Sequence, residues 1–223
     1  MSDLLETLEI ETAAAPRAAV IWMHGLGADG HDFEPIVPEL AIPESLAIRF
    51  VFPHAPTRPV TINNGWVMRA WYDVLPVAGE RREDEAGVRA SQDAIEALIA
   101  REKSRGVPAS RIVLAGFSQG GAMALHTGFR HGDRLAGIMG LSCFLPLADR
   151  VTDEATAANR DVPIFLAHGT HDDVIPIARG RRSRDVLLGF GYRIDWREYP
   201  MPHSVSPAEI SDVAAWLRGV LTI

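Results

Sequence analysis

Cysteine is nearly missing from this chain: Cys143 is the one residue of its kind, so no disulfide can form within it. Basic residues are also in short supply, with 22 Lys and Arg against 29 Asp and Glu and a net charge of −7. A phosphate backbone is held by a basic surface, so this balance excludes nucleic acid as the main partner. One short basic cluster, Arg181-Arg182 with Arg184, is expected on the solvated face of a helix. No apolar run approaches the ~20 residues of a membrane-crossing helix, so no integral membrane association is expected. The opening "MSDLLETLEIETAAAPR" carries Asp3, Glu6, Glu9 and Glu11 ahead of Arg17. It lacks the basic start and unbroken apolar stretch of a secretory signal, which predicts a cytoplasmic protein. Internal repeats, low-complexity tracts and linkers are absent too. Residues 1–223 are therefore read as one domain, and a hydrophobic content of 47% is enough to build its core.

What is present alternates. Continuous apolar runs at 18–25 ("AAVIWMHG"), 46–53, 111–117, 135–142 and 162–169 suit parallel strands buried on both faces. The run "YRIDWREYP" at 192–200 alternates apolar and polar residues and predicts a strand near a sheet edge. Between the runs lie helical patterns. Residues 83–105 place Val88, Ser91, Ile95, Leu98 and Ile99 at three-to-four spacing and stop at Gly106-Val107-Pro108. Residues 119–131 form a second helix, and Ser206-Pro207 starts a last one, with proline at its first position. The alternation predicts an α/β fold, a mostly parallel central sheet with helices on both faces. Two connections stand outside it, at 54–82 and 143–161. The first is long and unusually apolar for a loop, which marks it as functional.

Between the predicted strand 111–117 and the helix after it stands "AGFSQGGA". In that context Gly-x-Ser-x-Gly is a nucleophile elbow, a sharp turn that presents the serine at the strand's C-terminal end. Strand and helix pass so close there that the positions two before and two after the serine, Gly116 and Gly120, must be small. A serine hydroxyl needs an adjacent base oriented by a third group, in the chain order serine, acid, histidine. Of the histidines after Ser118, only His203 follows a later strand, in the proline-marked loop "YPMPHSVSP". The acid is expected in "HGTHDDVIP" (168–176), where Asp172 and Asp173 compete. His168 there is expected to hydrogen-bond within the turn, and no metal is expected. Oxyanion stabilisation needs backbone N–H donors. Gln119, after the serine, is one. Leu26, in the Gly-rich "HGLGADG" after the first apolar run, is the other. From the apolar connection and from Phe144 come the candidate walls of an acyl pocket: Trp66, Met68, Trp71, Tyr72, Leu75 and Phe144. Asp73 beside them is expected to hold the loop.

Taken together, "HGLGADG", "FPHAPTRPVTIN", "WYD", "AGFSQGGAMAL", "HGTHDDVIP" and "YPMPHSV" resemble, in order over residues 16–220, the carboxylesterase/acyl-protein thioesterase family of α/β-hydrolases. The resemblance implies an α/β-hydrolase fold and a serine esterase that works without cofactor. Its substrate would be a small-molecule carboxylic ester of short to medium acyl length. Ser118, Asp172 and His203 match the family's catalytic positions, and Leu26 and Gln119 its oxyanion donors. The resemblance is also compatible with a homodimer. The acid loop departs from the family's usual Gly-Asp-x-Asp-Pro, with Thr170 for the first Asp and Asp173 for Pro. Other readings are a thioesterase or lysophospholipase acting on long acyl chains, and a non-catalytic hydrolase-fold binding protein. The last would be expected to lack a catalytic residue or an elbow glycine, and none is missing.

Overall fold

The computed structural model describes residues 4–77 and 80–222. Strands β1 (Thr7–Glu11), β2 (Ala18–Met23), β3 (Ile48–Pro53), β4 (Thr57–Val60), β5 (Trp66–Arg69), β6 (Val74–Val77) and β7 (Glu80–Glu83) occupy the first part of the chain. Strands β8 (Ile112–Phe117), β9 (Gly137–Leu141), β10 (Ile164–Gly169) and β11 (Ile194–Tyr199) follow. The helices are α1 (Ile36–Glu39), α2 (Glu85–Ser104), α3 (Gln119–Arg130), α4 (Val151–Glu154), α5 (Ile177–Gly189) and α6 (Pro207–Leu221). Seven strands form one sheet in the order β1-β3-β2-β8-β9-β10-β11. All neighbours are parallel except β1, which runs antiparallel to β3. This is the mostly parallel α/β architecture expected from the alternation, and the apolar runs are its central strands.

Each central strand serves two cores. In β2, Ala19, Ile21 and Met23 point to one face, where α2, α3 and α5 pack. Ala18, Val20 and Trp22 point to the other, under α1 and α6. A strand covered on both sides has no use for polar residues, which is why these runs are continuously apolar. The alternating β11 is an edge strand, as its pattern predicts. The other edge, β1, is pinned by charge. Arg49 of β3 donates to Glu11 Oε1 at 2.9 Å and to Glu102 Oε2 of α2 at 2.6 Å, and Glu102 is fully buried.

The connection expected over 54–82 is described except for residues 78 and 79. It is two small hairpins rather than an irregular loop, β4 with β5 and β6 with β7. Asp73 joins them, accepting from Thr61 N at 2.7 Å and from Thr61 Oγ1 at 2.5 Å. The cluster Arg181, Arg182 and Arg184 lies on α5, where Arg181 pairs with Glu198 and Arg184 with Asp185. Among the described residues, no helix is long and apolar enough to cross a membrane.

The chain order sets where a site can form. From β2 the chain moves to β3 on one side, and it later returns to β8 on the other. The connections leaving β2 and β8 therefore diverge, and a crevice opens between them at the C-terminal ends of the strands. The loops after β2, β8, β10 and β11 all emerge along this edge.

Candidate active site

Ser118 joins β8 to α3 with φ 54° and ψ −119°, a conformation that side chains other than glycine's rarely adopt. The neighbouring glycines explain how the turn closes. A Cβ on Gly116 would lie 2.3 Å from Gly120 C, and one on Gly120 would lie 2.2 Å from Met23 O. No side chain fits at either place, so β8, α3 and the end of β2 meet backbone to backbone. The turn is held by Ser118 N donating to Leu141 O at 2.8 Å and by Ala122 N donating to Ser118 O at 3.0 Å.

Three sequence-expected residues, from three different loops, are brought together here. His203 Nε2 lies 3.0 Å from Ser118 Oγ, and His203 Nδ1 lies 2.7 Å from Asp172 Oδ2. The second oxygen of Asp172 accepts from Val174 N at 3.0 Å and from Ile175 N at 2.8 Å. With that carboxylate held in place, His203 carries its proton on Nδ1 and turns a lone pair toward the serine hydroxyl. In this arrangement an imidazole can take a hydroxyl proton, and the buried carboxylate can stabilise the cation that results. Asp173, the competing acid, is exposed. His168 is buried, with Nε2 2.8 Å from Ile175 O and 3.3 Å from Asp172 Oδ2. Burial holds its pKa below the ordinary histidine value, so it serves this loop as a neutral donor. Among the described residues, no group of three or more His, Cys, Asp or Glu side chains is arranged to hold a metal ion.

Leu26, Ser118 and Gln119 line one cavity of about 90 Å³. Gln119 opens α3, and N–H groups of a first helical turn have no acceptor within their helix. The loop carrying Leu26 is fixed on both sides. Gly27 N donates to Arg69 O at 2.9 Å, and Gly30 N donates to His54 Nδ1 at 3.1 Å. His24 lies beneath, with Nδ1 donating to Gly25 O at 2.7 Å and Nε2 accepting from Ala55 N at 3.1 Å. Accepting that bond requires the neutral ring, and burial lowers the His24 pKa to about 4.

The expected pocket residues divide. Tyr72 and Phe144 line the cavity beside Ser118, while Leu75 lines a larger one of about 640 Å³ that shares Phe144. Trp66, Met68 and Trp71 are not on either wall. Trp66 is 73% exposed at the start of β5, and Met68 accepts a 3.3 Å hydrogen bond from Asn63 Nδ2 on the same hairpin. Trp71 is a core residue: it is fully buried, and its Nε1 donates to His24 O at 2.9 Å.

Two contributions escaped the sequence reading. The Gln119 side chain accepts from Trp71 N at 2.7 Å and donates to Tyr72 O at 2.8 Å, tying the "WYD" segment to the elbow. The cavity is also lined by Val74, Val174, Ile175, Glu83 and Arg179. For Val174 and Ile175 a signal existed, an apolar pair directly after two aspartates in a loop that must pass the serine.

The family model described as Phospholipase/Carboxylesterase matches residues 6–221. The chain belongs to this family. It is a hydrolase of the phospholipase/carboxylesterase family, and its similarity to individual members runs nearly end to end. It is 40% identical over 216 residues to acyl-protein thioesterase 1 of Yarrowia lipolytica, covering 95% of each chain. To acyl-protein thioesterase 1 of Gibberella zeae it is 38% identical over 226 residues, covering 97% of this chain and 96% of the other. The crystal structure of acyl-protein thioesterase 2 from Zea mays superimposes with a TM-score of 0.84 at 29% identity, over 97% of this chain and 99% of that one. Within the phospholipase/carboxylesterase pattern, the two departures in the acid loop, Thr170 and Asp173, are both exposed, whereas Asp172 is buried.

Proposed function

We propose that the protein hydrolyses acyl thioesters, and the corresponding oxygen esters, through an acyl-enzyme on Ser118. The observation that carries this reading is the line Ser118 Oγ–His203–Asp172, with steps of 3.0 and 2.7 Å, on a serine at φ 54°. In the proposed reaction His203 Nε2 takes the Ser118 proton as Oγ attacks the acyl carbonyl. The developing oxyanion turns toward the N–H groups of Gln119 and Leu26. His203 then gives the proton to the departing sulfur or oxygen, the thiol or alcohol leaves, and water attacks the acyl-enzyme with the same imidazole as base.

The sequence motifs alone favour oxygen esters of short to medium chains. The names of the relatives at 38% and 40% identity favour sulfur as the leaving atom, so the thioester reading takes precedence. The site chemistry supports both, because the nucleophile meets the same carbonyl in each. The test compares wild type with Ser118→Ala on one acyl thioester and its matched oxygen ester. Loss of at least about 10⁴-fold on both is expected, since residues acting as a unit fail together. A fluorophosphonate should label wild type at Ser118. Substantial turnover by pure Ser118→Ala protein would overturn the serine mechanism.

A further inference from the structure

The small cavity beside Ser118 and the larger one beyond it share three lining residues among those described, Glu83, Phe144 and Arg179. These three stand where an acyl chain would pass from one cavity into the next. The Arg179 guanidinium lies 3.9 Å from the Phe144 ring centroid, and its Nη2 is 3.4 Å from Glu83 Oε1. The stack is anchored from behind. Ser183 Oγ donates to Arg179 O at 2.9 Å and accepts from Leu145 N, the residue after Phe144, also at 2.9 Å. Helix α5 and the segment after β9 therefore hold guanidinium and ring in fixed relation, while Glu83 reaches them from β7.

We infer that the Arg179–Glu83 pair, stacked on Phe144, is an acyl-length gate that admits short acyl groups beside Ser118 and opposes extension of the chain into the larger cavity. The inference rests on the Ser118 reading above. A short acyl group meets the pair only as part of the small cavity's wall and need not pass it. A longer one must run methylenes between guanidinium and carboxylate, stripping water from both and returning no hydrogen bond. An anionic acyl tail is not the better guest. Arg179 already faces a carboxylate, so the pair offers no net positive charge. Among the described residues, the lining of the larger cavity carries both signs equally, Glu83, Glu85 and Asp149 with Arg150, Arg179 and Arg182.

The experiment measures kcat/KM for acetyl, butyryl and octanoyl p-nitrophenyl esters with wild type, Ser118→Ala, R179K, R179M and the double variant R179M/E83Q, each checked by thermal melting. The double variant makes the gate neutral, and its octanoyl-to-acetyl ratio is expected to rise at least about tenfold, since one methylene in an apolar pocket is worth that much. R179M alone should move the ratio the same way, which keeps the test open if the double variant does not fold. R179K retains the charge but loses the planar stack, so its ratio should lie nearer wild type than that of R179M, which a purely structural role for Arg179 would not require. Ser118-dependent hydrolysis with an unchanged ratio in folded R179M overturns the gate and leaves the Ser118 reading standing. So does wild type that already handles octanoyl as well as acetyl esters. Acetyl hydrolysis that survives Ser118→Ala overturns both.

Discussion

Replacing Asp172 with asparagine changes one atom in a crowded place, and the surroundings fix how the new group must sit. Oδ1 of Asp172 receives two backbone N–H groups, from Val174 and Ile175 at 3.0 and 2.8 Å. An amide can keep both bonds only by turning its carbonyl oxygen toward them. Its NH2 then faces His203 Nδ1, where the carboxylate oxygen stood at 2.7 Å. Two donors cannot share a proton, so Nδ1 becomes the acceptor and the ring proton moves to Nε2. That nitrogen lies 3.0 Å from Ser118 Oγ and would now donate to it rather than accept from it. The base is present in the wrong tautomer. In serine proteases this error costs about 10⁴-fold, or about 5.4 kcal/mol of transition-state stabilisation. The same loss in kcat/KM is expected here on p-nitrophenyl acetate, with little change in melting temperature because both backbone bonds survive. Asp173→Asn, at an exposed position, should stay within about twofold of wild type. If Asp172→Asn retains more than about 1% of wild-type kcat/KM, or if Asp173→Asn is the inactive variant, the tautomer argument and the assignment of the acid fail together.

Trp71→Ala should cost about 3–5 kcal/mol of stability, because the ring is fully buried beneath the site. It should slow acetyl and octanoyl esters equally, and a shift in their ratio beyond about threefold would return Trp71 to the pocket wall. Glu209 carries a different expectation. It is fully buried, neither carboxyl oxygen meets a hydrogen-bond partner among the described residues, and burial raises its pKa from 4.5 to about 8. The folded state thus keeps a proton that the unfolded chain releases above 4.5. This contribution to stability is complete below pH 4.5 and is lost as pH rises through about 8. Glu209→Gln removes that dependence. Its stability relative to wild type should improve by about 3 kcal/mol between pH 5 and pH 8 in urea denaturation, at about 1.36 kcal/mol per pH unit. A change under about 1 kcal/mol would mean that the carboxylate is ionised and partnered in the fold.

The central strands could be read from the chain because burial on both faces leaves a direct trace, an unbroken apolar run. The elbow could be read because backbone contact at Gly116 and Gly120 admits no other residue, so its geometry is written in residue type. The hairpin β4–β5 had a trace too. Asn64-Gly65 carries positive φ at both positions, 57° and 75°, a turn preference that those residues advertise. The strands on either side of it, one of them holding Pro59, are four residues each and too short to show a period. Charged residues leave no such trace. Glu9 and Glu11 look like a solvated acidic N-terminus, yet they meet Arg49, Arg101 and Arg105 at the β1 edge. Glu83 and Arg179 stand 96 positions apart and look like two surface charges, yet they meet at the junction of two cavities. A strand's period or a glycine's freedom is a property of neighbours in sequence, whereas an ion pair is a property of neighbours in space. The gate proposed for Arg179 and Glu83 depends on the second kind, and such a pair shows only in the folded chain.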